Sequence, residues 1–163
     1  MDISHERSAI LIFARTPVAG AVKTRLQPVL GEEGALVLHK ALIRHIVQQV
    51  SRSHLARVEL WISSEDRQGF FESLDAGAVY VQQGSDLGAR MAHAAADALQ
   101  RSDKVVLIGA DCPAIDASYL EQALSALDCG HDIVFGPADD GGYVLLGLSR
   151  IPGSIFSNVP WGS

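Results

Sequence analysis

The sequence predicts a three-layer α/β/α domain built on a mostly parallel, mixed sheet. Three observations predict it. Apolar runs alternate with amphipathic stretches along the whole 163-residue chain. Two of the runs, AILIFA (9–14) and VVLIGA (105–110), are apolar without alternation, as strands covered on both faces are. Gly, Pro, Asp and basic residues gather in the segments that follow strands.

The AILIFA run opens the domain as a buried strand. A loop carrying Pro17, Gly20 and Pro28 follows over residues 15–30. A long helix is expected over residues 32–51, with Leu38, Leu42, Ile46 and Val50 on one face. VELWIS (58–63) alternates like a strand, residues 65–74 read as a weaker helix, and residues 78–81 read as a short strand. Asp86 suits the start of a helix reaching residue 100, because its side chain can accept from first-turn N–H groups. VVLIGA supplies the second fully buried strand. Asp116 caps a further helix, in which Leu120, Ala123, Leu124 and Leu127 form an i, i+3, i+4, i+7 stripe. Residues 133–135 and 143–148 read as late strands around the turn Asp139-Asp140-Gly141-Gly142. The order β-α-β-α-β-α-β-α-β-β implies a parallel sheet covered on both faces, with the last two strands able to make a mixed edge. No internal repeat, low-complexity segment or linker interrupts it, so residues 1–163 are expected to form one domain.

Composition excludes several function classes. Hydrophobic residues make up 48% and charged residues 20%, which is ordinary for a globular protein. A net charge of −6 argues against a nucleic-acid partner, because phosphate backbones need a basic surface. No apolar run approaches the roughly 20 residues a membrane helix needs. The first apolar run lacks the basic flank and cleavage pattern of a signal peptide, so a cytoplasmic location with reduced thiols at Cys112 and Cys129 is expected. Cys112 reads as a small residue in a tight turn before Pro113. The six histidines form no HxH or HExxH pair and read as surface or core residues. Ser85 and Ser118 lie in no GxSxG elbow.

In open α/β sheets ligands bind outside the carboxyl ends of the strands. That rule selects three loops: 15–25, 109–116 and 136–143. The first, in ARTPVAGAVKTRL, brings Arg15, Lys23 and Arg25 around Pro17 and Gly20. It can wrap an anion with side-chain cations and backbone N–H groups, or be a solvated basic loop. It is not a Walker P-loop, since Val22 precedes Lys23, and no GxGxxG follows the first strand. The second loop, GADCP, sets the Asp111 carboxylate at a strand end, where it can hold Mg²⁺ or Mn²⁺ between protein and phosphates. In the third, Asp139 and Asp140 precede Gly141 and Gly142, which let backbone approach a ligand closely; an Asp- and Gly-rich hairpin turn is the alternative.

Four blocks stand in order along the chain: FARTPVAGAVKTRLQPVLG (13–31), QGSDLGARM (83–91), GADCPAI (109–115) and GPADDGGYVLLGL (136–148). Together they resemble the glycosyltransferase-A-fold proteins known as radical-SAM/selenobiotic-associated transferases, mostly uncharacterised relatives of the nucleotide-diphospho-sugar transferases. More distantly the chain is similar to 2-phospho-L-lactate guanylyltransferase and the molybdenum-cofactor nucleotidyltransferases. The likeness spans residues 9–162 and is specific for fold rather than reaction. It implies phosphate contacts by Lys23 and Arg25, a metal carboxylate at Asp111, base or acceptor approach by Asp86, Gly88 and Arg90, and an acceptor side lined by Asp140, Gly141, Gly142 and Tyr143. Two departures stand out. Arg15 takes the place of an expected lysine, keeping the charge and changing its geometry. The chain also stops just after Pro160-Trp161-Gly162 where the relatives continue, so a missing C-terminal segment is expected.

The resemblance therefore implies a metal-dependent transferase with a nucleotide-activated donor and a small-molecule acceptor. With a nucleotide-sugar donor, an acceptor hydroxyl attacks the anomeric carbon and Asp140 serves as general base. The alternative is nucleotidyl transfer from a nucleoside triphosphate to a phosphorylated acceptor. A non-catalytic nucleotide-binding module is the reading from a different class.

Overall fold

The computed structural model describes residues 7–157. Pro160, Trp161 and Gly162 lie outside the described residues. The elements are β1 (Ser8–Ala14), α1 (Gln27–Ser53), β2 (Arg57–Ile62), β3 (Ala78–Val81), α2 (Leu87–Leu99), β4 (Lys104–Gly109), α3 (Ala117–Asp128), β5 (Ile133–Pro137) and β6 (Tyr143–Leu148). The strands form one sheet in the order β3-β2-β1-β4-β6-β5. β1 pairs in parallel with both β2 and β4, and β2 with β3. β6 runs antiparallel to both β4 and β5.

Both faces of the sheet are covered, which is the predicted three-layer α/β/α architecture. Ile10 and Ile12 point to one side, where they pack with Ile43, Ile46, Val47 and Val50 of α1 and with Leu120, Ala123, Leu124 and Leu127 of α3. Ala9 and Leu11 point to the other, against Met91, Ala94, Ala95 and Ala98 of α2. Burial of apolar area on both sides of β1 and β4 is why their sequences do not alternate. Among the described residues no helix is long and apolar enough to cross a membrane.

Two expectations need correction. Residues 65–74 are not a helix; they form an irregular connection with a single 3₁₀ turn, Phe71–Ser73. Asp66 causes the difference. Its carboxylate accepts from the N–H groups of Gln68 (3.2 Å) and Phe71 (2.7 Å), offering the backbone an alternative to helical bonding. Gly69 then takes a positive φ of 71°. Phe70 and Phe71 fill core space beside α1. The second correction concerns α1. It begins at Gln27, is interrupted at Gly31 (φ 73°, ψ 170°), and buries Ala35, His39, Ile43, Ile46, Val47 and Val50. The buried stripe is rotated from the predicted one: Ile46 and Val50 belong to it, whereas Leu38 and Leu42 are only half-buried.

The last two strands make the sheet mixed, as expected, but β6 lies inside the sheet and of the two only β5 is an edge. YVLLGL is suited to that inner position: Leu145, Leu146 and Leu148 are buried, and Gly147 makes room for Leu127 and Val134.

Candidate functional site

The topology brings the candidate loops to one edge of the sheet. From β1 the chain crosses one face through α1 to reach β2; from β3 it crosses the other face through α2 to reach β4. β1 and β4 are adjacent, and the segments leaving both turn to the face that carries α1 and α3. The carboxyl ends of the strands are where open α/β sheets bind ligands. The loop between β5 and β6 opens on the same edge, because β5 runs parallel to β4.

Lys23 and Asp111, which are 88 positions apart in sequence, meet at this edge. Lys23 Nζ donates to Asp111 Oδ1 at 2.6 Å. The two partners differ in exposure: the lysine side chain is 18% exposed and the aspartate side chain 70%. The alternative of a fully solvated basic loop therefore does not hold at Lys23, while Arg15 and Arg25 are exposed. Lys23 also has left-handed backbone (φ 50°, ψ 42°). For a residue with a Cβ that conformation costs about 1–2 kcal/mol, so surrounding contacts must impose it.

A separate set of contacts fixes the root of the basic loop. Thr16 is buried; its N–H donates to Ser63 Oγ (2.9 Å), its Oγ1 donates to the Ser64 carbonyl (2.6 Å) and accepts from Ser64 N–H (3.1 Å). The buried His39 of α1 bonds the Arg15 carbonyl through Nε2 at 2.7 Å. A carbonyl only accepts, so Nε2 carries the proton. Its other nitrogen, Nδ1, is buried with no partner among the described residues. The turn at Gly20 (φ 81°) is closed by Ala21 N–H donating to the Val18 carbonyl at 3.0 Å. Arg25 follows in a 3₁₀ turn, Thr24–Leu26, that leads into α1.

Thr16, Pro17 and Val18 form one wall of a cavity of about 470 Å³, and Ser64, Glu65, Asp66, Arg67 and Gln68 form the other. Sequence reasoning missed this cavity because it read the second wall as a helix. It also missed Thr16 and His39. For His39 a signal was available: it lies four positions from both Ala35 and Ile43 on the buried face of α1.

The second motif forms the start of α2. Asp86 is the predicted cap, its Oδ1 accepting from Ala89 N–H at 2.7 Å. Gly88 is buried in the first turn. Arg90 folds back, Nε donating to the Gly84 carbonyl at 3.2 Å. Gly84 has φ 146°, and a Cβ there would lie 2.7 Å from Arg90 N. Asp116 caps α3 as expected, accepting from Tyr119 N–H at 2.9 Å.

The third motif is a tight turn. Asp140 Oδ1 accepts from Gly142 N–H at 2.9 Å, Gly141 (φ 90°) donates to the Ala138 carbonyl, and Ala138 donates to the Gly142 carbonyl. Tyr143 opens β6 with its ring 5.2 Å from that of Phe135, which is half exposed. Burial pushes the Tyr143 phenol above its ordinary range. Cys112 and Cys129 are free thiols, and Cys112 packs beside the core.

A single exposed carboxylate at a strand end can hold a divalent cation when phosphate oxygens and water supply the remaining ligands, as Mg²⁺ sites commonly do. Among the described residues no three His, Cys, Asp or Glu side chains gather for a metal ion. Asp111 therefore suits a cation that arrives with a phosphate ligand better than one caged by protein alone.

This mixed α/β/α sheet matches the fold of nucleotide-diphospho-sugar transferases and cytidylyltransferases. A candidate nucleotide-diphospho-sugar transferase from Desulfovibrio desulfuricans G20 is 34% identical to the chain, with a TM-score of 0.87 over 97% of this chain and 71% of its own. A 4-diphosphocytidyl-2C-methyl-D-erythritol synthase from Anaerococcus prevotii DSM 20548 shares the fold at 14% identity, with a TM-score of 0.52 over 88% and 71%. The manganese complex of Rv0371c from Mycobacterium tuberculosis H37Rv shares it at 12% identity, with a TM-score of 0.54 over 87% and 70%. No curated protein matches the chain. Over residues 46–163 the chain matches DUF2064, a family described as an uncharacterized protein conserved in bacteria, and it belongs to that family.

Proposed function

We propose that this protein is a metal-dependent transferase that takes a nucleotide-activated donor, and that the donor is a nucleotide-sugar. The observation that carries the reading is the meeting of Lys23 and Asp111, 2.6 Å apart, at the carboxyl ends of β1 and β4. A cation, a carboxylate and a loop of backbone N–H groups at one sheet edge form the set that a diphosphate with its counter-cation requires. The 34% identical relative, named as a candidate nucleotide-diphospho-sugar transferase, supports the same class, as does the motif resemblance to the radical-SAM-associated transferases.

In this reading the donor diphosphate lies between Lys23, Arg25 and Asp111, with Arg15 at the loop root. The nucleoside occupies the cavity between residues 16–18 and 64–68. Asp111 would hold Mg²⁺ or Mn²⁺, which supplies charge stabilisation to the leaving diphosphate. Lys23 and Arg25 offset the negative charge that builds on the same group. Asp86, Gly88 and Arg90 shape the start of α2 beside the donor. An acceptor hydroxyl, placed along Gly141, Gly142 and Tyr143, attacks the anomeric carbon, and Asp140 accepts its proton. One oxygen of Asp140 is held by Gly142 N–H, which orients the other. That same bond favours a second reading. If it keeps Asp140 from acting as a base, an acceptor that is already anionic needs none, which fits nucleotidyl transfer from a nucleoside triphosphate.

The test is a thermal-shift screen of nucleotide-sugars and nucleoside triphosphates, with and without Mn²⁺. Stabilisation that requires Mn²⁺, is strongest with a nucleotide-sugar, and falls about ten- to a hundred-fold in affinity in Arg25→Ala is expected, the worth of a charge-assisted phosphate contact. A preference for triphosphates selects the second reading. The absence of any Mn²⁺-dependent ligand, or wild-type affinity in Arg25→Ala, overturns the proposal.

A further inference from the structure

We propose that Lys23 is a resident counter-ion of Asp111, so that a divalent cation reaches this carboxylate only in company with a diphosphate or triphosphate. The inference rests on reading this edge as a nucleotide site, and it adds the order in which the ligands enter.

Three observations lead to it. The Lys23 ammonium occupies Asp111 Oδ1 at 2.6 Å, so a divalent cation approaching that oxygen meets a like charge a few ångströms away. The lysine is the sheltered partner, at 18% exposure against 70% for the aspartate, and its backbone is held in a left-handed conformation by the turn that leads into the 3₁₀ segment. It is therefore placed at the carboxylate and not swinging through solvent. Finally, Asp111 has no second or third acidic, thiol or imidazole ligand gathered with it among the described residues. A hard cation that needs about six oxygens cannot complete its shell from one carboxylate except with water.

A polyphosphate changes each term. Its oxygens supply the missing ligands, and its negative charge gives the ammonium an alternative partner. Lys23 can then move from the carboxylate to a phosphate oxygen, which frees Asp111 Oδ1. Charge stays balanced throughout, because the cation replaces the ammonium on the carboxylate as the phosphate takes it up. The protein would thus discriminate against free metal and select metal–polyphosphate complexes of any nucleobase.

The experiment is Mn²⁺ titration followed by electron paramagnetic resonance, with and without saturating inorganic pyrophosphate. It uses the full chain as wild type, Lys23→Met, Lys23→Gln, Lys23→Arg and Asp111→Asn, with melting curves to check each fold. In the absence of pyrophosphate, Lys23→Met and Lys23→Gln are expected to bind Mn²⁺ at least about five-fold more tightly than wild type, and Lys23→Arg to resemble wild type. With pyrophosphate the order inverts, and wild type binds more tightly than both neutral variants. Folded neutral variants that bind free Mn²⁺ no better than wild type overturn the counter-ion role. If that happens while Asp111→Asn still loses Mn²⁺–pyrophosphate, only this inference fails. If Asp111→Asn binds Mn²⁺–pyrophosphate like wild type, the metal role of Asp111 in the nucleotide-site reading fails with it.

Discussion

Replacing Thr16 by valine tests whether the basic loop is held by the bonds at its root. Valine has nearly the shape of threonine but no hydroxyl, so the change removes one group. Two hydrogen bonds are lost, Oγ1 to the Ser64 carbonyl (2.6 Å) and Ser64 N–H to Oγ1 (3.1 Å), while Thr16 N–H keeps its bond to Ser63 Oγ. At about 0.5–1.5 kcal/mol each, the loss is about 1–3 kcal/mol. Ser64 is exposed, so water can reach its freed groups, which argues against the larger penalty of buried unpaired atoms. Thr16→Ser keeps the hydroxyl and gives up one methyl, about 0.8 kcal/mol. Urea titration separates the stabilities, and a melting shift of about 2–4 °C per kcal/mol is expected for a domain of this size. Because Thr16 joins both walls of the cavity, Thr16→Val should also weaken Mn²⁺-dependent nucleotide binding, and Thr16→Ser should largely spare it. Equal stability and equal affinity in the two variants would refute the anchoring argument.

Other perturbations separate fold from site. Glu59 is fully buried and bonded to Arg57 (2.9 Å), Arg101 (3.1 Å) and Trp61 Nε1 (3.0 Å); Glu59→Ala should cost about 3 kcal/mol in urea unfolding, at the low end for a broken buried pair because both arginines are partly exposed. Gly84→Ala should cost about 1–3 kcal/mol, since its φ of 146° is strained for alanine and the new Cβ would press on the backbone of the first turn of α2; a melting temperature equal to wild type would count against that packing. Because burial raises the Tyr143 phenol above its ordinary value of 10.0, the unfolded chain loses this proton first; the contribution present below pH 10 is lost as pH rises through the raised value. Tyr143→Phe should therefore flatten the alkaline limb of the stability profile, and an unchanged limb would show that another group causes it.

Much of the architecture was legible because burial on both faces writes itself into sequence. β1 and β4 stood out as unbroken apolar runs, and Asp86 and Asp116 were legible as helix caps from side-chain chemistry alone. The convergence of the three loops followed from strand polarity, and Lys23 and Asp111 are together for that reason. The Asp66 turn was open to local reasoning: its carboxylate accepts from Gln68 and Phe71, two and five positions on, a competition with the helix that apolar spacing alone does not register. Other features depended on contacts distant in sequence. The sheltering of Lys23 required the position of Asp111, and the bond of His39 to Arg15 required the packing of α1 on β1. The inner position of β6 was hidden because an edge hairpin and an inserted strand share the same local pattern.

The central claim is that a nucleotide diphosphate binds at the carboxyl ends of β1 and β4 with its cation on Asp111. A crystal structure grown with Mn²⁺ and a nucleoside diphosphate chosen by the binding screen tests it most directly, since manganese is located by its anomalous scattering. The account predicts a manganese peak about 2.0–2.2 Å from an Asp111 carboxylate oxygen, with the diphosphate between it and the Lys23 and Arg25 side chains. A nucleotide bound elsewhere on the sheet, or a manganese peak away from Asp111 with the Lys23–Asp111 bridge intact, would contradict it.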